Sequence, residues 1–224
     1  SKIDTSKERI VKNPVESKLI NATKLTGRTA GGLGLGFFNA MTSNTFADVK
    51  DTLGNRRKIL TQGFTNYNML VFDQTIRNNS YVSIANTNLY RRNDSYSANV
   101  SAVDFNLRDK KNVYALRGIG AVSQIFNDSI SRGGKSFIEF AKDAGNFQFE
   151  IWNNIEGKKY NPNDMGYLQR PNEFSYGVSA GYVVFKPFWK IIKLNSSLTF
   201  YHESLYDPRL FKSSLIEFDL RTST

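Results

Sequence analysis

The chain has 224 residues, with 30 Lys+Arg against 20 Asp+Glu for a formal net charge of +10, one His and no Cys. Without cysteine there are no disulfides, no thiol catalysis and no thiolate metal site, and one histidine excludes a multi-histidine centre, so neither metal nor cofactor is expected. The charge attracts polyanions (anionic headgroups, lipopolysaccharide, acidic glycans, nucleic acid) without choosing among them, and a mean hydropathy of −0.43 suits a soluble protein or a barrel with a polar lumen.

The start, "SKIDTSKERIVKNPVESK", has no apolar core and is not a signal peptide. Residues 1–16 are expected to be a linker or plug-adjacent segment, and 17–224 the main domain. From there on, period-2 alternation dominates and helical periodicity is nearly absent. It predicts eleven strands near 17–28, 32–43, 64–76, 80–92, 96–109, 112–126, 135–142, 146–155, 173–186, 189–202 and 209–222. Most exceed the 5–6 residues usual in soluble strands and reach the 9–11 needed to cross a bilayer at a tilt. No run of about 18 apolar residues suggests a membrane helix.

Within these strands the two faces differ. In "GNFQFEIWNN", Phe147, Phe149 and Ile151 alternate with Gln148 and Glu150. Phe174, Tyr176, Val178 and Tyr182 alternate with Ser and Gly, and Ile216, Phe218 and Leu220 with Glu217 and Asp219. These ten apolar residues are the candidates for lipid contact. Asp104, Asn106, Arg108, Arg117, Glu139, Gln148, Glu150, Glu217 and Asp219 are the candidates for a polar lumen, either as salt-bridge ladders stiffening the wall or as a charged constriction. A soluble barrel or sandwich would alternate in the same way, with its apolar face in a core. Connection lengths point to the membrane. Turns around 29–31, 77–79, 109–112, 143–145 and 186–188 alternate with longer segments at 44–63, 91–95, 127–134, 156–172 and 203–208. Outer-membrane barrels pair short periplasmic turns with longer external loops in this way.

Several local stretches invite a chemical reading. "GGLGLG" at 31–36 lacks the spacing and lysine of a phosphate loop. Gly32, Gly34 and Gly36 read better as a bare face approached by another segment. His202, near Glu203 and Asp207, offers a hydrolase only if Ser197, Ser204 or Ser213 comes within reach. Asn161, Asn163 and Asp164 supply hard oxygens, but not at calcium-loop spacing. "NRRK" at 55–58 and Arg91–Arg92 suit a basic rim facing lipopolysaccharide phosphates. Tyr160, Tyr167, Phe188 and Trp189 flank strand ends as interfacial girdle aromatics do.

Four stretches also resemble the barrel portion of the domain-of-unknown-function 5916 family of Bacteroidota. They are "SKLINATKLTGRTAGGLGLGFFNAMT" (17–42), "TNYNMLVFDQTIRNNSYVSIANTN" (65–88), "NVSAVDFNLRDKKNVYALRG" (99–118) and "YNPNDMGYL" (160–168). The resemblance implies an outer-membrane β-barrel, often preceded by a family-9 carbohydrate-binding-like domain that is not in this sequence, and it carries no catalytic residues. The odd strand count, and a C-terminus without a terminal aromatic, suggest an internal piece of a larger barrel.

The expectation is therefore an all-β, antiparallel up-and-down transmembrane β-barrel, as part of a larger one, in a bacterial outer membrane. Its expected role is non-enzymatic, as a channel or as the barrel subunit of an envelope transport or assembly complex. Expected partners are outer-membrane lipid, lipopolysaccharide, other envelope proteins and a glycan, but not nucleic acid. The alternatives are a barrel-embedded hydrolase using His202 and a soluble basic β protein that binds polyanions with steep salt dependence.

Overall fold

A computed structural model describes residues 3–92, 96–166, 168–184, 186–187 and 191–223. The described residues form strands and turns, with no helix. In chain order the strands are β1 (Glu8–Lys12), β2 (Leu19–Arg28), β3 (Leu33–Thr42), β4 (Thr45–Asp51), β5 (Arg56–Gln62), β6 (Thr65–Ile76) and β7 (Ser80–Arg91). They continue as β8 (Ser97–Arg108), β9 (Tyr114–Phe126), β10 (Ile130–Lys142), β11 (Phe147–Glu156), β12 (Glu173–Val184), β13 (Lys193–Leu205) and β14 (Phe211–Ser223).

Eleven of these make one antiparallel meander, ordered β14 to β6 and then β3 and β2. They correspond one for one to the strands expected from alternation. Tight turns join them at one end. Several of these turns need a left-handed backbone, which Asn78, Asn79, Asn112 and Gly145 adopt with φ of 63°, 56°, 54° and 89°. The turn between β8 and β9 is organised by Asp109, whose carboxylate accepts from the amides of Lys111, Val113 and Tyr114. Those bonds, led by the one from Tyr114, hold its carboxyl below the usual range.

A barrel, as part of a larger one, was expected, and no closed barrel is found among the described residues. Strands β2 and β14 each have a ladder partner on one side only, so the sheet is open. The expected segment 44–63 is not a loop, and within 1–16 residues 8–12 form strand β1. The chain leaves β3 into the hairpin β4–β5, on which β1 pairs to complete a separate three-stranded sheet. Its buried side carries Ala47 and Val49, both 0% exposed, and Ile59. Across it, Glu8 accepts two bonds from Arg57, at 2.6 and 2.7 Å.

One connection also differs from expectation. Strand β10 begins at Ile130, so the connection before it is three residues, 127–129, and not a long loop. Gly133 and Gly134 look like a turn in sequence but lie in the ladder opposite Ser123 and Val122. Of the expected tight turn at 186–188, Phe188 lies outside the described residues. The short–long alternation therefore survives only in part.

The large sheet has no conventional core. Its buried positions are mostly small: Ala98, Ala115, Ala121, Ala141, Ser123 and Ser175. The large apolar side chains stand exposed. One register row reads Phe140, Ile151, Val178, Phe200 and Ile216 across β10 to β14, at 36% to 72% exposure.

Candidate functional site

Register divides the meander into a polar and an apolar face. Asn106 pairs with Arg117, Arg117 with Glu139, and Glu139 with Trp152, which puts Gln148 and Glu150 on the same side. Glu150 continues through Ser179 and Thr199 to Glu217. All nine residues expected to be polar-facing, from Asp104 to Asp219, thus share one face. Phe147, Phe149, Ile151, Phe174, Tyr176, Val178, Tyr182, Ile216, Phe218 and Leu220 share the other, because Phe147 pairs with Tyr182, Ile155 with Phe174, and Val178 with Phe200.

On the polar face the charges meet their opposites. Arg108 reaches Asp143 at 2.7 Å, and Arg117 bridges Glu139 and the same Asp143. Arg28 pairs with Asp73, lying over Gly34, where a Cβ would stand 3.0 Å from its guanidinium. Asp219 pairs with Arg221 two residues along its own strand. Gln148 donates to the Gly145 carbonyl at 3.1 Å. Asp143 and Asp73 were not among the expected residues. Asp143 sits in a turn, where alternation assigns no face.

The connection between β11 and β12 folds down over the polar face. Its Asp164 receives Arg91 at 3.0 Å and the Tyr96 hydroxyl at 2.9 Å, from 73 and 68 residues away. The Arg91 guanidinium in turn stacks over the Tyr96 ring at 4.5 Å. The backbone amide of Asn161 donates to Ser123 Oγ at 2.9 Å. Tyr160 is buried beneath the segment, which raises the pKa of its hydroxyl. The segment sits so close that a Cβ on Gly133 would come within 2.2 Å of the Lys159–Tyr160 peptide. Further along, Met165 lines a groove of about 760 Å³ floored by Gly34 and Gly36, with Phe38 and Met69 beside it. The bare glycine face thus looks across at an approaching segment.

These contacts revise several expectations. Arg91 turns to Asp164 and is not part of a free basic rim, while Arg56, Arg57 and Lys58 lie on β5. Tyr160 is buried and is not a girdle residue, because the segment that carries it packs against β9 and β10. Tyr167, Phe188 and Trp189 lie outside the described residues. The oxygens weighed for calcium are engaged: Asn161 Oδ1 accepts from the Asn163 amide, Asn163 Oδ1 from the Leu168 amide, and Asp164 from Arg91 and Tyr96.

His202 lies on the apolar face, 4.9 Å from the Tyr176 ring and 5.7 Å from Phe211. Its Nδ1 is 2.9 Å from Ser214 Oγ, a serine that sequence did not single out. Glu203 faces the other way, accepting from Tyr201 at 2.9 Å and pairing with Lys212. The imidazole and this carboxylate therefore stand on opposite faces of the sheet.

Toward the end with the longer connections, the apolar face turns to amides on β3 and β6 to β8. Asn39, Asn68, Asn88 and Asn99 form one register row. Asn39 Nδ2 donates to Asn66 and Asn68 at 2.7 Å each, and Asn86 and Asn99 donate to each other at 3.1 and 3.2 Å. The alternating asparagines of "TNYN" and "NTN" were the available signal. The model of a family described as a domain of unknown function (DUF5916) matches residues 1–224. No curated protein and no solved structure matches.

Proposed function

The chain belongs to the DUF5916 family, whose description assigns it no activity, and from that premise we propose that the meander is part of the wall of a bacterial outer-membrane β-barrel. In this reading the apolar face meets lipid and the polar face lines a lumen. The barrel holds or passes solutes, alone or as the barrel subunit of an envelope complex, and catalyses no reaction.

The observation that carries the reading is the exposed apolar face. Monomeric soluble proteins rarely expose contiguous apolar patches above a few hundred Å², yet rows such as Leu35, Phe72, Ile84 and Val103 and Phe140 to Ile216 leave large side chains open across most of the sheet. A sandwich would cover them with a second sheet about 10 Å away. The dimensions fit a bilayer. On β12 every apolar-face position from Phe174 to Val184 is apolar. At about 3.3 Å per residue and a tilt near 40°, that run rises about 25 Å, the height of an outer-membrane apolar band. The asparagine row on β3 to β8 marks where that band gives way to headgroups. The tight turns then face the periplasm, and the in-folded segment 157–166 narrows the outer mouth.

The test is membrane fractionation of the full-length protein, followed by heat-modifiability on a gel and conductance in planar bilayers. Recovery in the outer membrane with a compact unheated form is expected. Recovery in the soluble fraction without detergent would refute the proposal.

A further inference from the structure

Seven neighbouring strands each place one polar-face residue in a single register row: Tyr81, Asn106, Arg117, Glu139, Trp152, Gly177 and Tyr201. At about 4.8 Å per strand the row is some 29 Å long. Its β11 to β13 end is an aromatic platform. The Trp152 indole covers Gly177, where a Cβ would stand only 2.7 to 2.8 Å from three ring atoms. The glycine therefore allows the indole to settle against the wall. Tyr201 lies 5.6 Å from it, tilted by 37°, and Phe137 lies 6.3 Å away on the other side, tilted by 32°. All three rings are half-buried and half-open to the polar side.

Fixed polar groups border the platform. Arg117 and Glu139 pair along the row, and Asn106 has a buried side-chain oxygen with no hydrogen-bond partner among the described residues. One row toward the turns stand Glu150, Ser179 and Thr199, the two hydroxyls 3.0 Å apart. An apolar surface bordered by a few fixed donors and acceptors is the usual make-up of a small-molecule site.

We propose that this row is a carbohydrate subsite, taking neutral pyranose units of an oligosaccharide that stack on Trp152 and Tyr201. A pyranose ring presents apolar C–H faces, which suit the rings, and a rim of hydroxyls that both donate and accept, which suit carboxylate, guanidinium and amide together. A cationic ligand would also favour tryptophan. However, Glu139 is paired with Arg117 and Glu203 with Lys212, and Glu150, which has no salt bridge among the described residues, serves as an acceptor for sugar hydroxyls. The length of the row accommodates several linked units. The proposal rests on the polar face being a lumen wall, and it adds the class of solute.

The experiment uses the full-length protein in planar bilayers and, separately, in detergent by calorimetry, with maltohexaose, cellohexaose and xylohexaose as probes. At least one sugar is expected to bind and to block current. Trp152→Ala should weaken it tenfold or more, Trp152→Phe should keep most of the affinity, and Gly177→Ala should weaken it by pushing the indole off the wall. A conducting, heat-modifiable protein that none of the three sugars binds or blocks would overturn the subsite and leave the barrel standing. Trp152-dependent binding without conductance would support the platform and remove the channel. Binding of tetramethylammonium in place of the sugars would make this a cation site and overturn the proposal.

Discussion

Replacing Gly133 by alanine should lift the β11–β12 connection off the sheet. Gly133 has no positive φ, and alanine in a strand is easier on the backbone than glycine by about 0.5–1 kcal/mol. The new methyl group has one obstacle: it would stand 2.2 Å from Lys159 C and Tyr160 N and 2.4 Å from the Lys159 carbonyl oxygen. Those are backbone atoms and cannot rotate away. Overpacking of a fitted site costs about 1–3 kcal/mol, and an overlap beyond 1 Å with a peptide belongs at the upper end of that range. Against it stand the Asn161–Ser123 bond, worth about 1 kcal/mol, and the Tyr96 bond to the Asp164 carboxylate, worth about 1.5–3 kcal/mol. Shifting the seated–lifted balance by roughly 2–3 kcal/mol raises the lifted population about 30- to 150-fold. The chain has no cysteine, so Ser123→Cys, placed at a side chain 2% exposed beneath the segment, reports lifting through its rate of maleimide labelling. Adding Gly133→Ala should accelerate that labelling by about the same factor. Gly134→Ala, whose Cβ would meet Ala121 O at an ordinary 3.6 Å, should not. Equal labelling rates in a stably folded Gly133→Ala protein would refute the seating described here.

Two further outcomes concern the small sheet. The Glu8 carboxyl is lowered from 4.5 to about 2, chiefly by its bond from Arg57. Because the folded value lies below the unfolded one, the pair stabilises β1 at and above pH 4.5, and that contribution is lost as pH falls through about 2. Hydrogen-exchange protection of the β1 amides should follow that course, and Glu8→Gln should remove the part of the pH dependence that this pair sets. Ala47→Leu forces a larger side chain into a fully buried position beside Ile59. It should destabilise the small sheet by about 1–3 kcal/mol, read as lost protection on β5 with β6 to β14 unchanged. An unchanged β5 would mean the buried side has room to spare.

Alternation located the eleven strands of the meander because each has one apolar and one polar face over ten or more residues, a signal that needs no partner to be legible. It failed where the reason for a residue lies elsewhere in the chain. Gly133 reads as a turn residue, but its place in β10 follows from the close approach of Lys159 and Tyr160. Asp164 reads as a loop oxygen, and its partner Arg91 lies 73 residues away. Strands β4 and β5 are seven residues each and give too few periods to stand out. The charged residues of the polar face were legible as a set, but their pairing through Asp143 was not. Nor was the platform: Trp152, Gly177 and Tyr201 each alternate correctly, and only strand register brings the indole over the glycine.

The open edges have a geometric consequence. Strands β2 and β14 both run from the end with the longer connections toward the end with the tight turns, since ten antiparallel reversals separate them. Laid edge to edge they would form a parallel pair. Two copies standing side by side in the same orientation would meet in the same way, β14 of one against β2 of the other. Antiparallel closure therefore requires an odd number of intervening strands, whichever polypeptide supplies them. A single additional strand satisfies the polarity, and two never do.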